Sequence, residues 1–259
     1  MSVVVRRTLP ATVLAVALLL AWELYVDMAG VEEALLPAPR AVASALWNGR
    51  GLIWHNFAVT AGEVVLGLSL ALAGGMALAV AIHLAPLLRR AVYPLVVASQ
   101  AVPIPVVGVL LVFWWGFGLL PKLLVVALIC FFPVVVTTFD GLAAVDPDQR
   151  KLLRTLDASR WQAFRFAELP AALPAALSGA RIALAVGVIG AFIAETTTPS
   201  SGAYPGLGRE ILSDMNFQTA RAYAGTAVLV AFAVACFYAL TLAEHKLAPW
   251  SATERGDHQ

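Results

Sequence analysis

Ionisable side chains are scarce in this 259-residue chain, so the places they occupy carry most of its chemical information. Glu63, His83, Asp140 and Glu195 stand within or at the ends of long apolar runs. They compose no catalytic set, because no carboxylate–His or Ser–His pairing falls inside those runs. The histidines and the two cysteines, Cys130 and Cys236, lack metal-ligand spacing, and no Gly-rich phosphate loop is followed by a lysine. Buried thiols in apolar runs are expected to be inert. Two uses of charge remain. Glu63 and Glu195 could couple protons in a self-sufficient, ion-coupled secondary transporter, although that reading calls for more intramembrane charge and an internal repeat. Alternatively, the densest charge, Arg150, Lys151, Arg154, Arg160 and Arg165 between Asp146 and Pro174, marks a docking surface for a soluble partner.

The elements that hold these residues are long and apolar. With 61% hydrophobic and 13% charged residues, the composition is that of a membrane protein, since a soluble fold needs more polar surface. Six spans are expected. The first opens with Arg6 and Arg7 and runs through Ala11–Trp22, and the hydrophobic segments after it argue against a cleaved leader. A short surface helix over Ala41–Trp47 follows Pro37 and Pro39. The second span covers Phe57–Leu84, with Gly67, Ala71 and Gly75 on one face for close helix approach. The third covers Ala91–Phe113, interrupted by Pro94, Pro103 and Pro105, either as packing geometry or as a broken helix lining a solute path. The fourth covers Pro121–Phe139, the fifth Leu177–Ala194 and the sixth Ala222–Leu242.

Glu63 is expected to reach the outer interface, and His83 and Asp140 to be solvated at cytoplasmic ends. Glu195, closing the fifth span, is expected to gate or to hold the following loop. Gln100, Ser99, Thr137, Thr138 and Ser178 are placed to meet solute, although single hydroxyls in spans usually bond their own backbone. An even number of spans puts both termini on one side. That side holds twelve basic residues, including those of the 146–174 loop, against five (Arg40, Arg50, Lys122, Arg209 and Arg221) on the other, so termini and loop are expected to be cytoplasmic.

The loop itself reads as helix, turn, helix. Asp146-Pro147 is a helix start, a capping residue followed by the imino acid that suits the first helical position. This helix is expected to run to about Leu156, with Leu152, Leu153 and Leu156 on one face. Ser159 and Gln162 form a capping-box pattern for a second short helix, closed by Leu169-Pro170.

At this point the loop resembles the EAA motif of ABC-importer permeases. Leu169-Pro170 matches its Leu-Pro, Asp157-Ala158-Ser159 stands where Gly-Ala-Ser is usual, and Ala167 stands where Ile is common. The Glu-Ala-Ala triplet falls on Lys151-Leu152-Leu153 and is absent. The flanks resemble the permeases for nitrate, sulfonates and taurine: Phe131-Phe132-Pro133 through Gly141-Leu142, Val145-Asp146-Pro147, Leu169–Leu184, Ala194-Glu195, Gly206-Leu207-Gly208 and Ala248-Pro249-Trp250. Arg154-Thr155-Leu156, Val188–Ala191 and Thr219-Ala220-Arg221 look most like permeases for pyrimidine precursors of thiamine. The resemblance covers most of residues 57–250.

It implies an all-α integral membrane protein, a single permease domain over 1–259 with six transmembrane helices and a coupling helix between helices 4 and 5. It also implies a bacterial inner-membrane location and no enzymatic activity of its own. The implied partners are a pair of ATP-binding subunits holding ATP and Mg, a second permease chain, an extracytoplasmic substrate-binding protein and the lipid bilayer, with no nucleic acid. The residues that the resemblance places against the ATPase are Lys151, Leu152, Leu153, Asp157, Ala158, Ser159, Leu169 and Pro170. Gln100, Pro103, Pro105 and Glu195 are the expected pathway or gate residues.

Overall fold

The computed structural model describes residues 3–197 and 205–248. The start of the Gly/Ser/Pro-rich stretch (198–204), Pro249-Trp250 and Arg255 lie outside the described residues. Among the described residues every regular element is helical. In chain order these are α1 (Val3–Ala29), α2 (Pro39–Asn48), α3 (Arg50–Leu84), α4 (Pro86–Ala98), α5 (Ile104–Trp115), α6 (Leu119–Ala143), α7 (Pro147–Thr155), α8 (Arg160–Ala163), α9 (Leu169–Thr197), α10 (Leu207–Asp214) and α11 (Thr219–Leu247). Five helical stretches are long and apolar enough to cross a membrane, and six if one bent pair counts as a span.

The bent pair stands where the proline-interrupted third span is expected, and it takes the broken form of the two that the prolines leave open. α4 and a 3-10 turn at Ser99–Ala101 meet α5 at 101°. Pro103 and Pro105 account for the break, because each removes an amide that would have continued the ladder, and the ring of Pro103 pushes Val102 out of helical angles to a ψ of 122°. The fifth span also departs from expectation. Leu169-Pro170 does not close the second loop helix, since α8 passes through a π turn at Phe164–Glu168 directly into α9. The Leu169 amide bonds the Phe164 carbonyl five residues back. The ladder has thus changed register just before Pro170, and the missing proline amide falls in the first turn of α9, where it is tolerated.

Two compact units share the chain, and α3 and α11 contribute to both. The first comprises 1–59 and 205–229. Within it Arg40, at the start of α2, pairs with Asp27 at 2.6 Å and Glu23 at 3.0 Å on α1. On α11, Arg221 reaches Asp214 of α10, and Trp22 of α1 lies against Tyr223 of α11.

The second unit comprises 60–204 and 230–259 and is centred on α6 and α9, which share the most extensive helix contact. Val126, Cys130 and Val134 of α6 pack with Val64, Leu68 and Ala71 of α3 and with Ala183, Leu184 and Ala191 of α9. The small residues of α3 act as the spacing suggests. A Cβ at Gly67 would stand 2.6 Å from Val126 Cγ1, and one at Gly75 would stand 2.8 Å from Val134 Cγ1, so close approach requires both glycines.

Candidate functional site: a charged loop and a buried polar cluster

The loop begins as its residues dictate. Asp146 Oδ1 accepts the Asp148 amide at 2.8 Å, which starts α7. At the other end of α7 the Ala158 amide bonds the Leu153 carbonyl at 3.0 Å, while Asp157 adopts a left-handed φ of 53°. That is a Schellman ending with Asp in the position that glycine usually fills. Ser159 then caps α8. Its hydroxyl accepts the Gln162 amide, and the Gln162 side chain accepts the Ser159 amide at 2.7 Å. The capping box expected from Ser159 and Gln162 is thus formed.

Much of the apolar surface of the loop is unpartnered. Leu152, Leu156, Trp161, Phe166 and Leu169 are all exposed, whereas Phe164 turns inward onto Leu142 and Ala172, with Val80 and Leu84 alongside. Lys151 projects from α7 with its ammonium 2.8 Å from Asp148, on a fully solvated face. Leu153 and Ala158 border a cavity of about 430 Å³ completed by His83, Leu84, Arg160, Ala163 and Glu168. Pro170 is half-buried in the first turn of α9.

His83 corrects an expectation. Its side chain is only 12% exposed, and Nε2 lies 2.8 Å from Oε2 of Glu168. The chain brings the end of α3 and the π turn together, so the imidazole meets a carboxylate rather than water. Asp140 is exposed, as expected.

A second polar cluster is buried between α3, α6 and α9, and it corrects the placement of Glu63 and Lys122. Glu63 does not reach an interface, and Lys122, counted with the basic residues of the outer side, is buried with it. Lys122 is 3% exposed and donates to Glu63 Oε1 at 3.0 Å, while Thr60 donates to Glu195 Oε1 at 2.6 Å. The Glu195 carboxyl also borders that of Glu63. Burying such charges costs several kcal/mol each unless they are paired and hydrogen-bonded, which drives the cluster together.

Gln100, Pro103 and Pro105 are exposed at the α4–α5 break, and Ile104 between the two prolines packs against the apolar cluster that includes Ala194, the neighbour of Glu195. Three of the hydroxyls expected to meet solute are otherwise engaged. Ser99 donates to the Val96 carbonyl, Thr137 donates to that of Pro133, and Ser178 accepts from Arg181. Thr138 is buried.

Sequence reasoning missed Lys122, Thr60 and Glu168. For Lys122 there was a usable signal, because it stands directly before an uncharged run of 17 residues, Leu123–Phe139, where a cation requires a partner. In the first unit, Glu210 was not singled out either. Asn56 donates to it, Arg221 lies 3.9 Å away, and burial pushes its carboxyl above the usual range, with nearby Asp214 adding to the rise.

Comparison with known proteins places this geometry. Residues 65–248 match the family described as binding-protein-dependent transport system inner membrane component. A probable ABC transporter permease protein of Haemophilus influenzae is 30% identical over 246 residues, covering 95% of this chain and 98% of that protein. The formylaminopyrimidine transport permease protein ThiX of Halalkalibacterium halodurans is 31% identical, covering 94% and 96%. The taurine transport system permease protein TauC of Escherichia coli is 30% identical, covering 94% and 90%. Among solved structures, an amino acid ABC transporter crystallised with histidines superposes with a TM-score of 0.59. It covers 79% of this chain and 96% of that one at 16% identity, a likeness of fold.

Proposed function

This chain belongs to the family of binding-protein-dependent transport system inner membrane components, and from that membership we propose that it carries a small sulfonate-, nitrate- or pyrimidine-like solute into the cell. It does so as the permease subunit of an ATP-driven importer, a multi-pass protein of the inner membrane. Relatives named for formylaminopyrimidine and for taurine stand at 31% and 30% identity. These are too close to choose between the two chemistries, so the binding protein that delivers the solute is assigned the selectivity.

One observation carries the reading. The amphipathic loop over 146–174 leaves Leu152, Leu156, Trp161 and Phe166 uncovered and continues without a break into α9. Exposed apolar side chains of this size, rimmed by charge, mark an interaction surface, which is assigned here to a protein partner. In the proposed cycle two copies of this chain form one pathway, and each presents its loop to one ATP-binding subunit. ATP and Mg are held by that subunit, and nucleotide-driven closure of the pair moves the loops together. The termini and the loop face the cytoplasm, and the extracytoplasmic binding protein meets the opposite face. Lys151, Leu152, Leu153, Asp157, Ala158, Ser159, Leu169 and Pro170 are proposed to form the ATPase contact. Glu195 is proposed to steady the outer part of the pathway, and Gln100, Pro103 and Pro105 to border it.

Co-purification with the cognate ATP-binding subunit tests the assignment. A stable complex that is lost on Leu152→Asp or Leu169→Asp is expected, with solute uptake by reconstituted vesicles requiring ATP. Uptake by this chain alone, driven by an ion gradient, would instead favour the secondary-transporter reading.

A further inference from the structure

The loop reaches α9 through continuous backbone, and it reaches α3 through side chains. Among the described residues two polar contacts contribute to that link, one from each end of the second limb. Arg160 donates to the Leu84 carbonyl at 2.8 Å, and Glu168 meets His83 Nε2 at 2.8 Å. Leu84 is the last residue of α3, where helix carbonyls lack intrahelical donors, so a guanidinium is well matched to it. Between the two contacts Val80 and Leu84 pack against the cluster that Phe164 forms with Leu142 and Ala172. The two grips differ in exposure. Arg160 is solvated, whereas the His83 and Glu168 side chains are 12% and 13% exposed, and there a hydrogen bond is stronger and its loss costs more. Glu168 closes the π turn, so the pair joins the end of one span to the one irregular turn through which the loop becomes another.

We propose that the His83–Glu168 pair is a positioning joint that makes α3 follow the loop together with α9, so that both spans move when the partner subunits close. This rests on the reading of 146–174 as the coupling element. Without the joint, the loop would hold α3 only by the solvated Arg160 contact and the packing around Phe164, and its displacement would pass mainly into α9. The about 430 Å³ cavity beside the pair would deform instead, because Leu153 and Ala158 line it from the α7 side. The consequence is specific: breaking the joint should leave ATP hydrolysis running while solute movement falls.

The test uses the assembled complex of this chain with its ATP-binding subunits and binding protein, reconstituted in vesicles. Solute moved per ATP hydrolysed is measured for His83→Ala, Glu168→Ala, the double variant, and the conservative His83→Gln and Glu168→Gln. Gln at either position can still form the hydrogen bond. We expect the alanine variants to lower the ratio roughly tenfold, on the scale of one lost buried charge-assisted hydrogen bond, with the double variant no worse than either single one. The Gln variants should remain within about twofold of the unaltered protein, since a neutral hydrogen bond retains much of the contact. Uptake and hydrolysis falling in proportion, loss of assembly in the alanine variants, or His83→Gln behaving as His83→Ala would each overturn the joint. Failure of any ATP-binding subunit to co-purify with the unaltered chain would overturn the coupling reading itself, a separate outcome.

Discussion

Lys122 Nζ lies 3.0 Å from Glu63 Oε1, a salt bridge between α6 and α3 in which both side chains are almost wholly buried. Its partners are 59 residues apart in sequence. Such a pair contributes little net stability relative to an apolar substitute, yet removal of one member strands the other in a medium that cannot solvate it.

Lys122→Met is therefore expected to destabilise the protein by about 3–5 kcal/mol, whereas the double change Lys122→Met with Glu63→Leu recovers most of that loss. Thermal unfolding of the detergent-solubilised protein measures both. A single variant as stable as the original would show that the bridge is not buried in the membrane-embedded protein.

Glu195→Gln keeps an oxygen that can accept the Thr60 hydroxyl, 2.6 Å away, but removes a charge from the cluster. Assembly with the ATP-binding subunit should be unaffected. Uptake should fall by roughly an order of magnitude, the scale of exchanging a charge-assisted for a neutral hydrogen bond. Unchanged uptake would refute a role for the charge in transport.

Asp157 holds a φ of 53°, a region that glycine enters freely and that other residues enter at a cost. Asp157→Gly is expected to be neutral or slightly stabilising, while Asp157→Val should cost about 1–2 kcal/mol. Because the strain sits at the turn between α7 and α8, the valine variant should also weaken binding of the ATP-binding subunit. Equal melting temperatures for all three proteins would count against backbone strain there.

Glu210 titrates high because burial disfavours its charged form. Its folded-state pKa exceeds the unfolded value, so between the two the folded protein holds more protons and stability falls as pH rises. That loss starts near the usual carboxylate range and is complete once pH exceeds the raised value. Glu210→Gln, which can still accept from Asn56, should flatten this part of the stability–pH curve. Parallel curves for the two proteins would remove Glu210 as the source.

What could be read directly from the chain was local. Apolar runs of sufficient length define spans whatever they pack against, because lipid offers backbone groups no partner and a helix pairs them within the segment itself. Asp146-Pro147 and the Ser159–Gln162 box announce helix starts through bonds between residues two or three apart. The glycines at 67 and 75 betray a close neighbour through their spacing alone. The prolines at 103 and 105 announce a break, although neither its 101° angle nor the continuity of α8 with α9 follows from them.

The charged side chains needed the tertiary structure. Glu63 could reach an interface or a partner, and the choice rested on Lys122 lying opposite it on α6. His83 depended on Glu168, 85 residues away, and Glu195 on Thr60, 135 residues away. Helical periodicity assigns a residue to a face, but packing decides which other helix that face meets. A buried charge is stable only with its partner, so its role could be settled only where α3, α6 and α9 come together.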